Sequence, residues 1–244
     1  MATFASEEAL HKACAKLYCF RSPLCKNNAL DWKASFLCSA TTPEMEAFVD
    51  NLNVTRKQMI GELSTFSPAV TKLQCVDAYL PCISNLLDSL NAQPPVVIEK
   101  QLTFEWTGSF TAITGQFSQS VEIIFELAMV LHSKAILHYQ VAYESMQGDI
   151  TVNLTSAGQN LRIAAGIMRY LAVTLLPKWL TQGGKGGRPP SLNEEVCLAY
   201  EQLFIASAQQ MAVVKAMTKV GGSPPAVVVK VALGVINTII GNYD

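Results

Sequence analysis

Apolar residues recur along this chain mostly at intervals of three and four, and hydroxyl–proline pairs between the runs mark helix starts. Thr42-Pro43-Glu44 sets a capping hydroxyl before a proline at the first helical position. Behind it, Met45, Phe48, Leu52, Met59 and Leu63 share one stripe. Ser67-Pro68 opens a second run, in which Leu73, Val76, Leu80, Ile83, Leu87 and Leu90 alternate threes and fours. The two runs predict an antiparallel helix pair with a tight turn near Thr65 and a kink at Pro81.

Pro94-Pro95 then break the pattern, and between Gln93 and Gly115 the residues Val96, Val97, Ile98, Thr103, Phe104 and Trp106 favour extended chain. A short β-hairpin is expected there. From Ser118 to about Met146 the sequence is apolar on nearly every face, which predicts a central helix with neighbours all round. Leu161, Ala164, Ala165, Met168, Leu171, Ala172 and Leu175 predict a further amphipathic helix ending near Trp179. The glycine- and proline-rich stretch 182–190 reads as a surface loop, and Ser191-Leu192-Asn193-Glu194 as a capping box that opens another helix. Ser223-Pro224 starts the last run. On it, Val227, Val231 and Gly234 line one face, while Val228, Ala232 and Ile236 line another. Either one face packs inward and the other receives a partner, or the chain itself covers both; periodicity leaves both open.

Half of the 244 residues are hydrophobic and 15% are charged, enough apolar material for one elongated domain or two small ones, and the helical runs put the chain in the all-α class. The net charge of −1 gives no sign of a nucleic-acid partner. Glu7, Glu8, His11 and Lys12 stand where a signal peptide would be apolar, and Val227–Ile240 is too short to span a bilayer. Seven cysteines with no CxxC pair fit reduced thiols in a cytosolic protein, in which the sequons at Asn53 and Asn153 carry no glycan.

Chemistry-bearing constellations are sparse. Gly183-Gly184-Lys185 follows a helix and lacks the hydroxyl that a phosphate-binding loop places after its lysine. His132 and His138, six residues apart on one predicted helix, point about 240° apart and read as packed residues. Glu122 with Glu126 and Glu194 with Glu195 fall in first helical turns, where the helix dipole favours acids. No catalytic residues, metal ligands or cofactor motif are assigned, and the expectation is a non-enzymatic interaction module.

Several stretches in order resemble the Bro domain family, most nearly its Brox-like branch. They are Cys19–Leu24 (CFRSPL), Phe104–Gly108 (FEWTG), Phe125–Ala128 (FELA), Leu161–Met168 (LRIAAGIM), and Ala206–Gln209 (ASAQ) through Lys215-Ala216. The resemblance implies one partial Bro-like domain over 1–244, with an irregular lead-in over 1–40 and a tetratricopeptide-like helical array. It also implies binding of the C-terminal amphipathic helix of an ESCRT-III subunit, of the charged multivesicular body protein family. Such domains act in endosomal sorting, so a cytoplasmic location with at most peripheral membrane association is expected. Carried over by position, the partner-binding residues are Val227, Val231, Lys215 and Ala212, the last aromatic in Alix-type members. An acidic groove position of those members corresponds to Gly158. The family continues with further long helices beyond Gly241–Asp244, and Brox-like members end in a prenylation box, so a C-terminally truncated domain is expected. The alternative is a signalling or structural scaffold of the same fold with a different protein ligand.

Overall fold

A computed structural model describes residues 17, 19–26, 30, 32–37, 42–92, 97–98, 102–181 and 188–218. The helices are α1 (Trp32–Ser35), α2 (Pro43–Leu63), α3 (Ala69–Ala92), α4 (Ile123–Ser145), α5 (Ile150–Tyr170), α6 (Leu176–Thr181) and α7 (Glu194–Thr218). A π-helical segment, Leu171–Leu175, joins α5 to α6, and a 3-10 turn, Pro190–Leu192, precedes α7. The short strands are β1 (Phe36–Leu37), β2 (Val97–Ile98), β3 (Phe104–Thr107) and β4 (Phe117–Ser120).

Helices α2, α3, α4, α5 and α7 pack in that succession, each against the next. This is a helical array as the family resemblance implies, built from helices that the periodicity predicts. The core continues along it, from Leu52 and Met59 on α2 through Val76, Tyr79 and Ile83 on α3 to Leu161 and Met168 on α5 and Phe204 on α7. Helix α4 sits inside the succession and is buried on nearly every face, from Ile123 to Tyr139 and Ala142, as expected of a sequence apolar all round.

Helix starts are only partly as read from the sequence. The Thr42 hydroxyl does accept from the Met45 N–H at 3.3 Å. The Ser67 hydroxyl instead bonds Thr65 and Glu62. The first N–H of α3, at Ala69, is capped by the carboxylate of Glu144 on α4, at 3.0 and 3.1 Å, and a neighbouring helix supplies what a local serine was expected to give. The capping box at Ser191 does not form: Ser191 lies in the 3-10 turn, its hydroxyl buried without a hydrogen bond, and α7 begins at Glu194. Two prolines at 189 and 190 set the backbone into that turn before a helix can start.

The extended segments form, but with other partners. Val97–Ile98 pairs antiparallel with Phe36–Leu37, and Phe104–Thr107 pairs with Phe117–Ser120. The hairpin therefore spans 104–120, and Ser118 belongs to β4, not to α4. Leu24–Lys26 adds to the other edge of β3, through the Thr107 N–H to the Leu24 carbonyl at 2.8 Å and the Lys26 N–H to the Glu105 carbonyl at 3.0 Å.

Candidate functional site

Behind any surface lies a buried polar hub that registers the array. Glu126, in the first turn of α4, accepts from Arg56 Nε at 2.8 Å, Trp106 Nε1 at 2.5 Å and Tyr79 OH at 3.3 Å. Burial works most strongly against the Arg56 charge, but the Glu126 carboxylate, Cys25 and Tyr79 beside it together outweigh this and raise its pKa. Burial, with Glu126 second, pushes the Tyr79 hydroxyl and the Cys25 thiol well up. Glu122 likewise accepts from Trp179 Nε1. Dipole capping therefore does not account for these two acids: one carboxylate ties α2, α3 and β3 to α4, and the other ties α6 to its N-terminus.

The two histidines are packed, as their spacing implied. His132 is fully buried, with neither ring nitrogen hydrogen-bonded, and lies edge-on to Tyr200 with centroids 5.9 Å apart. Burial lowers its pKa to about 3. His138 Nδ1 meets Asn160 Oδ1 at 2.8 Å, which ties α4 to α5. The Cys197 thiol donates to the Ser191 carbonyl at 3.5 Å, and burial pushes it to about 12, far from a reactive thiolate. Among the described residues, no hydrogen bond joins either histidine to a cysteine or a carboxylate, and no group of three His, Cys, Asp or Glu could hold a metal ion.

Two of the four expected partner-binding residues, Ala212 and Lys215, lie on α7, which packs against α5. Cys197, Tyr200, Phe204, Ser207, Met211 and Val214 form the buried stripe of α7. The next residue after Met211, Ala212, is exposed. Lys215 is half-buried, and its Nζ donates to Thr155 Oγ1 of α5 at 2.6 Å. Gly158 lies one turn along α5 from Thr155, and a Cβ there would meet only Met211 Cβ, at 4.0 Å, so packing does not demand glycine. Arg169 bridges to Glu201 across the same seam at 3.1 Å. Ala212, Lys215, Thr155 and Gly158 thus belong to two adjacent helices, while Val227 and Val231 lie outside the described residues.

Two further features mark this region. From 150 to 193 there is no Asp or Glu, whereas Arg162, Arg169, Lys178, Lys185 and Arg188 are all basic. Val152, Ile163, Tyr170 and Val173 on the outer side of α5 and the π segment are exposed. Arg162 stands exposed beside Ile163.

Comparison with known proteins gives the same picture of the fold. Residues 35–238 match the BRO1-like domain family. An ALIX BRO1 CHMP4C complex superposes with a TM-score of 0.71 at 15% identity, covering 91% of this chain and 62% of that one. A crystal structure of ALIX in complex with the SIVmac239 PYKEVTEDL late domain superposes with a TM-score of 0.70 at 18% identity, covering 91% and 32%. The chain therefore spans under two thirds of the length of either. A search of curated proteins gave no match.

Proposed function

The chain belongs to the BRO1-like domain family, and on that premise we propose that it is a non-enzymatic scaffold binding the C-terminal amphipathic helix of an ESCRT-III subunit. The BRO1 domain is a protein-interaction scaffold fold. The observation that carries the reading is the exposure of Ala212 beside Lys215 on the α5–α7 seam, in a fold shared with an ALIX BRO1 bound to CHMP4C. Recognition is of the helix-in-groove type. Apolar side chains of the partner bury against Ala212, Val227 and Val231, and its acidic residues meet Lys215 and Arg162 at the rim. Recruitment to endosomal membranes follows from the partner. Without an aromatic at 212 the contact is small, and small transient interfaces below about 1,200 Å² bind in the micromolar range.

Fluorescence anisotropy with labelled ESCRT-III C-terminal peptides tests this. Saturable binding is expected, and Val231→Asp should abolish it while keeping the far-UV helical signal, because a carboxylate buried unpaired in the contact costs about 2–5 kcal/mol. If no such peptide binds, the reading falls. Ala212 then favours the second reading, a scaffold of the same fold with a different protein ligand, which affinity capture from lysate would identify.

A further inference from the structure

The lead-in segment Cys19–Lys26 is no part of the helical array, yet it is tied down at every second residue. Cys19 and Arg21 are exposed, whereas Phe20 and Ser22 are turned toward the helices, the alternation of an extended chain laid on a surface. One side chain of α4 holds both. Ser22 Oγ donates to Gln140 Oε1 at 2.7 Å, and Gln140 Nε2 donates to the Phe20 carbonyl at 2.6 Å, so both ends of the Gln140 amide serve this one segment. Further along, the Leu24 N–H donates to Thr107 Oγ1 at 2.8 Å and the Leu24 carbonyl accepts from the Thr107 N–H at 2.8 Å.

What this clamp fixes is the Phe20 ring. Its centroid lies 5.0 Å from that of Tyr139 on α4, and 5.5 and 6.2 Å from those of Tyr200 and Phe204 on α7, each pair edge-on. Tyr139 and Phe204 are fully buried, and Tyr200 nearly so. A ring carried by the lead-in is therefore wedged between α4 and α7, in the geometry that aromatic pairs favour. Tyr200 and Phe204 share the buried stripe of α7 with Met211 and Val214, and Ala212 and Lys215 stand beside that stripe on the same unbroken helix. A roll of α7 about its axis moves all of them together. With its side chains a helix is about 10–12 Å across, so a roll of about 10° shifts a surface atom by about 1 Å. That is enough to break the 2.6 Å bond from Lys215 Nζ to Thr155 Oγ1.

We propose that Phe20, held by Gln140, is a positioning residue for the partner site: the lead-in sets the rotation of α7, and with it the placement of Ala212 and Lys215, without touching the partner. The inference rests on the reading of the α5–α7 seam as a helix-binding groove. Residues that contact no ligand can change its affinity through such packed elements by about two- to thirtyfold.

Two measurements on the full chain test it. In anisotropy titrations with a labelled ESCRT-III C-terminal peptide, Phe20→Ala and Gln140→Leu should each weaken binding about tenfold, and Phe20→Leu, which refills much of the volume, should come within about threefold of the unmodified chain. Ile83→Ala empties a fully buried site on α3, which is not adjacent to α7. It should lower the melting temperature and leave the affinity unchanged, which separates positioning from a loss of stability. The second readout needs no peptide. After isotope-labelled reductive methylation, the Lys215 methyl signal, assigned by its absence in Lys215→Arg, should shift in Phe20→Ala and Gln140→Leu and stay in place in Ile83→Ala. Should Phe20→Ala fail to fold, Gln140→Leu, which keeps the ring, decides by the same two readouts. The proposal is overturned if the clamp and ring variants bind as tightly as the unmodified chain, if Ile83→Ala weakens binding as much as they do, or if the Lys215 signal does not move. A chain that binds no peptide but shows the Lys215 shift would remove the groove reading alone and support the positioning of α7 by Phe20.

Discussion

Arg56 Nε and Glu126 Oε1 lie 2.8 Å apart, with their side chains 5% and 0% exposed, so an ion pair crosses the interior between α2 and α4. Its value for the fold lies in what its loss would leave behind. Replacing one partner strands a buried charge, which costs about 3–5 kcal/mol, more than the pair contributes relative to an apolar replacement. Glu126→Ala and Arg56→Met should each lower the unfolding free energy by about that much in urea denaturation. The double variant should lose well under the sum, because the two side chains are directly coupled. Additive losses would mean that the pair is not the source of the penalty.

His132 makes stability depend on pH. Burial lowers its pKa from 6.5 to about 3, so below 6.5 the unfolded chain takes up a proton that the folded chain refuses. Stability then falls as pH falls, by up to about 1.4 kcal/mol per unit until the folded value is reached. Burial lowers His138 as well, which acts in the same direction. Between about pH 8 and pH 5.5 the loss through His132 should be about 1.4 kcal/mol, and His132→Leu should remove it. An unchanged slope in urea midpoints for that variant would assign the dependence to another group.

Gly108 is required by packing, not by backbone conformation. A Cβ there would come within 2.6 Å of Ser191 Oγ and 3.0 Å of Pro189 Cβ. Gly108→Ala should therefore cost about 1–3 kcal/mol of stability, the range for overpacking a well-filled site. Adding Ser191→Ala should restore part of it by removing the nearest atom. Equal melting temperatures of Gly108→Ala and the unmodified chain would show that the 3-10 turn shifts freely.

The proposed partner groove yields two changes of opposite sign. Ala212 is exposed, so Ala212→Phe should leave folding intact while adding a ring that the partner helix can bury, strengthening peptide binding about tenfold. Lys215→Glu should weaken binding and flatten its salt dependence, because a rim charge acts chiefly on association. Anisotropy titrations at two salt concentrations measure both. An Ala212→Phe chain that binds no tighter would place the contact elsewhere on the array.

The α5–α7 site was half legible in advance. Helical spacing put Leu161 through Leu175 on a buried face and the resemblance named Lys215, but neither gave the Thr155 hydroxyl that Lys215 meets from another helix. The cationic run from 150 to 193 was countable from the residues alone. The total charge of −1 hides it, because acids elsewhere in the chain cancel it.

What the sequence determined by itself is the run of long helices among the described residues and the centrality of α4. Three-and-four spacing and all-round hydrophobicity are local properties that each segment carries wherever it lies. What only the tertiary structure decided are the pairings between segments remote in sequence. Val97–Ile98 met Phe36–Leu37, Glu144 capped α3 across the turn of the array, and Glu126, an ordinary first-turn acid by position, became the acceptor for an arginine 70 residues away. A donor or a strand edge accepts any complementary group, so local sequence cannot name its partner. Burial makes the choice, because an interior polar group left unmet costs more than any local preference returns.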